Sequence, residues 1–133
     1  MAGVTLTDAD LTRYARHIVL KEIGGDGQKR LMAAHVAVIG AGGIGSPAIQ
    51  YLAAAGIGRM TLIDDDHVDL SNLQRQLLFG TDDVGAAKVS AAAAAVSALN
   101  PSVEIGQCAV RIDRDNAAAL LDGVDVVLDG CDN

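Results

Sequence analysis

Short apolar runs recur along the chain, each closed by glycine or by acid: Val36 to Ile39 runs into Gly40, Met60 to Ile63 into Asp64, and Val124 to Leu128 into Asp129. Such runs, rich in Val and Ile and bounded by breakers, read as strands buried on both faces. A less apolar strand is expected over Val103 to Val110. Between the strands the pattern is helical. Gly43 to Ala55 forms one helix ended by Gly56 and Gly58, Ala86 to Leu99 a second ended by Asn100-Pro101, and Asn116 to Leu121 a third. Upstream, Thr7-Asp8-Ala9-Asp10 has the form of a capping box that opens a helix through Leu11 to Leu20. Gly24 to Gly27 is predicted to break that helix before a short helical piece over Gln28 to Ala34. The alternation of strand and helix predicts an α/β fold, a Rossmann-like parallel sheet with helices on both faces. In the usual strand order the fourth strand lies beside the first and forms an apolar edge, which proteins seldom leave bare. The expectation is therefore a sheet truncated after its fourth strand. Residues 1–34 would form an N-terminal helical arm, and residues 35–133 the front half of a larger nucleotide-binding domain.

Half of the 133 residues are hydrophobic but only 2% are aromatic, so the core must be built from Val, Ile, Leu and Ala. That composition suits helices lying close on a parallel sheet. A net charge of −7 repels a phosphate backbone, which argues against nucleic-acid binding. No run approaches the length of a membrane span, and no signal-peptide pattern opens the chain, so a cytoplasmic setting is the expectation. Cys108 and Cys131 form no Cys-x-x-Cys pair and suggest neither a disulfide framework nor a zinc site.

The chemistry concentrates where the first two strands end. Gly40, Gly42 and Gly45 have the spacing G-x-G-x-x-G, with Gly43 inside it, and Asp64 closes the next strand about twenty residues on. Missing side chains let a tight turn bring N–H groups against phosphate at a helix start, while an acid ending the second strand accepts from ribose hydroxyls. The same glycines could also serve only to pack helix on strand. The long polar connection from Asp65 to Gly85 is of a length that usually carries function.

Arg13-Tyr14-Ala15-Arg16-His17, the turn Gly40 to Gly45, Asp64-Asp65-Asp66, Leu70-Ser71-Asn72-Leu73-Gln74-Arg75-Gln76, Gly85-Ala86-Ala87-Lys88 and Asp132-Asn133 occur in that order. Together these blocks resemble the HesA/MoeB/ThiF adenylyltransferases of molybdopterin and thiamine biosynthesis, relatives of ubiquitin-activating enzymes. The resemblance implies ATP-dependent adenylation of the C-terminal Gly-Gly carboxylate of a ubiquitin-like sulfur carrier protein, with release of pyrophosphate. It implies an ATP site built from Gly40, Gly42, Gly43, Gly45, Asp64, Ser71, Asn72, Leu73, Gln74, Arg75, Lys88, Asp132 and Asn133. Asp64 would hold the ribose and Asn72 the phosphates, Arg75 and Lys88 would neutralise charge as pyrophosphate leaves, and Asp132 would be the Mg2+ carboxylate. It further implies a homodimer in which Arg16 reaches the partner's phosphates in trans. The paired cysteines that bind zinc in the family would lie past Asn133. Residues 1–133 alone would then turn over weakly. Two other readings stay open: a nucleotide-binding partner module without turnover, and an NAD-dependent dehydrogenase. The dehydrogenase accounts for the turn and Asp64 but leaves Ser71 to Gln76 and Lys88 without a role.

Overall fold

The computed structural model of the chain describes residues 3–131. Thr7 caps α1 (Asp8–Arg13), its hydroxyl accepting from Asp10 N–H while the Asp10 carboxylate accepts from Thr7 N–H. The single helix expected through Leu20 is instead two, because the chain bends at Tyr14 before α2 (Ala15–Ile18). The cause is burial of the Tyr14 ring. It lies so close to Gly56 that a Cβ there would stand 2.6 Å from it, and its hydroxyl accepts from Asn100 Nδ2 at 2.9 Å.

A second correction concerns Gly24 to Gly27, which do not break a helix but form the first turn of α3 (Gly24–Ala33). The break falls earlier, over Leu20 to Ile23, and Gly24 enters α3 with a φ of +62°, where a residue without Cβ is needed. Gln28, buried on α3, donates through Nε2 to Ala55 O and pairs through Oε1 with His17 Nδ1, so the N-terminal helices are tied to the body by polar contacts.

Beyond α3 the chain alternates: β1 (His35–Ile39), α4 (Gly45–Ala55), β2 (Arg59–Ile63), α5 (Lys88–Leu99), β3 (Glu104–Cys108), α6 (Ala117–Leu120) and β4 (Val126–Asp129). All pairs are parallel and the order is β3-β2-β1-β4, with Ile39 in register with both Ile63 and Asp129. The expected Rossmann-like sheet is what forms. Val36, Val38, Met60 and Leu62 point to one face, where Ile49 and Ala53 of α4 and Val89, Ala92 and Val96 of α5 cover them. Alanine at the helix contacts lets α4 and α5 pack closely on the sheet and on each other. On β4 the first two residues are exposed, Val126 at 57% and Val127 at 45%, and among the described residues no strand pairs with its outer edge. The strand ends of β1, β2 and β4 meet at one rim of the sheet, the place where open α/β sheets hold their ligands.

Candidate functional site

Two close contacts dictate the course of the glycine-rich turn after β1. Gly40 has a φ of +90°, and a Cβ on Gly45 would stand 1.7 Å from Gly40 O. Both positions therefore need glycine for the backbone to pass itself. Gly42 and Gly43 are different: a Cβ on Gly43 would meet nothing within 4 Å, and one on Gly42 only Gln76 Nε2 at 3.8 Å. The N–H groups of Gly42, Gly43 and Ile44 have no intramolecular partner among the described residues, and α4 begins directly after them. Free N–H groups at a helix start favour an anion.

Asp64, at the end of β2, braces this turn. Its Oδ2 accepts from Ala41 N–H and its Oδ1 from Asp66 N–H, both at 2.7 Å. A carboxylate oxygen has more than one acceptor direction, so each retains capacity for a hydroxyl donor. Beside Asp64 lies a cavity of about 330 Å³ lined by Gly40, Gly42, Asp65, Asp66, Lys88, Arg111, Asp129 and Gly130, among others. Lys88 is the notable member. It opens α5 with its side chain only 6% exposed, and its Nζ lies 3.5 Å from the exposed Asp66 Oδ2.

The segment expected to hold phosphates begins with a tight single turn over Leu70–Asn72. Asp69 caps it, accepting from Ser71 N–H and Ser71 Oγ at 2.9 Å, while Asn72 Oδ1 accepts from Asp69 N–H at 3.0 Å. The two Ser71 hydrogen bonds, aided by the charge of Lys88, hold the Asp69 carboxyl below the ordinary carboxylate range. With its carbonyl so engaged, Asn72 has its amide N–H groups left to offer. Arg75 is exposed, donating to Ser71 O at 3.3 Å.

Of the sequence-predicted residues, Gly40, Gly42, Asp64 and Lys88 line the cavity together. Ser71, Asn72, Leu73, Gln74 and Arg75 do not line it, nor does Arg16, which is exposed on α2. Gly43 lies exposed on the turn and Gly45 is buried under it. Asp132 and Asn133 lie outside the described residues. Among the described residues no three His, Cys, Asp or Glu side chains converge as a metal site.

Comparison with known proteins decides the family. Residues 14–133 match the ThiF family. The chain belongs to it. It is 48% identical over 130 residues to the SAMP-activating enzyme E1 of Haloferax volcanii, covering 98% of this chain and 48% of that protein. It is 42% identical over 128 residues to the sulfur carrier protein ThiS adenylyltransferase of Escherichia coli, covering 96% and 51%. Among solved structures it is similar to E. coli tRNA N6-threonylcarbamoyladenosine dehydratase in complex with ATP, with a TM-score of 0.91 at 33% identity, covering 98% of this chain and 53% of that one. The chain thus spans about half the length of these relatives.

In this ThiF-family chain, sequence reasoning missed as site residues those just after β3 and those from the end of β4 to Cys131. Val110, Arg111 and Ile112 form one wall of the cavity, and Asp129, Gly130 and Cys131 another. Asp129 closes β4 as Asp64 closes β2, and that parallel was the available signal. Gly130 abuts the turn so tightly that a Cβ would stand 3.1 Å from Gly45 N. Partial desolvation, then the neighbouring Asp129 carboxylate, push the thiol of the surface-exposed Cys131 above its ordinary range. The three histidines hold no metal-like arrangement: His35 Nε2 meets Thr61 Oγ1 at 2.7 Å within the sheet, and His17 is taken by Gln28.

Proposed function

We propose that the protein activates the C-terminal carboxylate of a ubiquitin-like sulfur carrier protein by adenylation with ATP. The observation that carries this reading is the buried Lys88 ammonium on a cavity shared with the free-N–H glycine turn and Asp64. Its support from outside the chain is that relatives with 42–48% identity carry names of sulfur carrier or SAMP activation, and that a ThiF-like neighbour binds ATP.

The step itself is simple in protons. A carboxylate oxygen of the carrier's Gly-Gly terminus attacks the α-phosphorus, the bond from that phosphorus to the bridging oxygen breaks, and pyrophosphate leaves with the electron pair. No general base is needed, since a carboxylate is ionised at neutral pH. What the site supplies is alignment and compensation of charge. Asp64 receives the ribose hydroxyls, the N–H groups of Gly42 and Gly43 face phosphate oxygens, and Asn72 donates its amide N–H. Lys88 and Arg75 take the charge that grows on the leaving group, Arg75 by swinging from its exposed position. Ser71, Leu73 and Gln74 contribute the backbone of the segment that carries them. Arg16 acts from the partner subunit of a homodimer.

Mg2+ keeps few protein ligands and prefers phosphate oxygens, so a single carboxylate beside the triphosphate suffices to hold it. Asp132, which lies outside the described residues, is the carboxylate proposed for it, and the ion would supply charge to neutralise the triphosphate. A relative named for a tRNA modification raises RNA as a substrate, but a net charge of −7 favours a protein partner. The test is pyrophosphate exchange into ATP by the intact protein with a Gly-Gly carrier added. Exchange that depends on the carrier supports the reading. Displacement of bound ATP analogue by NAD at much lower concentration would refute it and favour the dehydrogenase.

A further inference from the structure

Among the described residues two buried side-chain oxygens have no hydrogen-bond partner in the protein, Ser46 Oγ and Gln76 Oε1. Ser46 is wholly buried and Gln76 is 3% exposed. Both residues neighbour Gly42, Ser46 through its backbone and Gln76 through its side-chain amide. Ser46 N–H donates to Gly42 O at 2.9 Å, and a Cβ on Gly42 would lie 3.8 Å from Gln76 Nε2.

Buried polar groups are nearly always paired, and each exception calls for a reason. The hydrophobic core supplies none, because apolar side chains of similar size would fill these places without stranding a polar atom. The turn supplies one. Gly42 carries one of the partnerless N–H groups, and Gln76 N–H donates to Asn72 O at 2.9 Å. Gln76 thus spans the two parts of the site, the glycine turn and the segment that holds Asn72 and Arg75.

We infer that Ser46 and Gln76 are positioning residues of the nucleotide site: a polar bed under Gly42, completed by an enclosed water, that keeps the turn's N–H groups facing a triphosphate. The inference rests on the nucleotide reading above. Neither side chain lines the cavity, so both would act through the backbone of the turn. Buried waters take this role where two or more polar groups otherwise lack partners.

The test uses the intact protein with Gln76→Leu and Ser46→Ala, measuring melting temperature and the affinities for Mg–ATP and for adenosine by calorimetry. The expected result is an unchanged or raised melting temperature with ATP affinity lowered about tenfold for Gln76→Leu, the scale of one mispositioned polar contact. Adenosine affinity should stay within about twofold, because its phosphates are missing. The double variant should lose less than the two single losses combined, as residues of one network do. Unaltered ATP affinity in both variants overturns the inference, as does an equal loss for ATP and adenosine or a fall in melting temperature that tracks the loss of affinity. Should the unaltered protein bind neither ligand, the nucleotide reading fails first and this inference with it.

Discussion

The glycines of the turn divide into those the backbone needs and those a ligand needs, and alanine substitution separates them. At Gly45 an added Cβ would stand 1.7 Å from Gly40 O and 2.8 Å from Gly40 C. Ordinary contact starts at 3.4 Å, so backbone must move by about 1.7 Å, with no flexible side chain to yield. Overpacking of this kind costs about 1–3 kcal/mol, and backbone collisions fall at the upper end. At the length of the relatives named above, about twice this chain's, each kcal/mol lowers the melting temperature by about 2–4 °C. Gly45→Ala should therefore melt about 5–10 °C below the unaltered protein. At Gly43 a Cβ meets nothing, and the φ is one that any residue adopts. Gly43→Ala should melt within about 2 °C of the unaltered protein, as surface changes do. On the proposed nucleotide reading, its Cβ would stand beside the free N–H groups and crowd the phosphate oxygens they receive. Saturating Mg–ATP raises the melting temperature of a protein that binds it, by about 2.7 kcal/mol of stability at a hundred times Kd. Gly43→Ala should lose most of that rise. A control is Gly58→Ala, whose Cβ would stand 1.9 Å from Met32 O, away from the cavity. It should destabilise as Gly45→Ala does and keep the rise. The reasoning fails if Gly45→Ala melts normally, or if Gly43→Ala retains the full response to nucleotide.

Lys88→Met replaces a buried ammonium whose ion-pair partner, Asp66, is largely exposed, so stability should hold or rise while pyrophosphate exchange falls by about 10²–10³, the usual scale for losing one transition-state donor. A melting loss of many degrees with exchange intact would reverse the assignment. Asp69→Ala should weaken ATP binding through Asn72 without touching the cavity, measured by calorimetry. Because the Asp69 pKa is lowered in the fold, its contribution is complete above the ordinary carboxylate pKa and disappears only as pH falls through the lower, folded value. ATP affinity insensitive to the substitution would remove Asp69 from this role. Cys131 has a raised thiol pKa, so it holds less thiolate than an ordinary cysteine at pH 8, and alkylation followed by mass spectrometry should accelerate only at more alkaline pH than for a free thiol. Fast labelling at neutral pH would contradict that.

The strands and their order were legible because apolar runs of the right length, separated by helical stretches, leave few topologies open. The Thr7 box and the Gly56 helix end were legible because each rests on one residue's local chemistry, and Gly56 does adopt the left-handed conformation at φ +89°. Tyr14 was not legible as a helix break, since the residues against which its ring is buried, Gly56 and Asn100, lie far along the chain. The Gly24 to Gly27 run misled for a related reason: tertiary contact overrides the weak helix propensity of glycine. At the site, Lys88 could be nominated from sequence, but its burial could not, because a lysine at a helix start is ordinarily solvated. Asp129, Gly130 and Arg111 required knowing that the ends of β3 and β4 turn toward the same rim. Nor does sequence reveal an absent hydrogen bond, so Ser46 and Gln76 read only as a small residue in a helix and as the end of a polar motif.

Asp64 illustrates why the turn and its acid cannot by themselves separate adenylyl transfer from hydride transfer. The carboxylate secures Ala41 N–H and Asp66 N–H, and in doing so shapes the turn for any nucleotide with a ribose. Hydride transfer creates no new charge on the phosphates, so in a dehydrogenase an ammonium held near them would add nothing to the transition state. In adenylation it contributes, because charge moves onto pyrophosphate as its bond to the α-phosphorus breaks, and a cation in a water-poor wall acts on that charge more strongly than a solvated one. Burying Lys88 carries a desolvation cost that its 3.5 Å pair with an exposed aspartate offsets only in part. That cost becomes intelligible if the full compensation arrives with the triphosphate, which makes the position of Lys88, more than the glycine pattern, the feature that favours transfer of an adenylyl group.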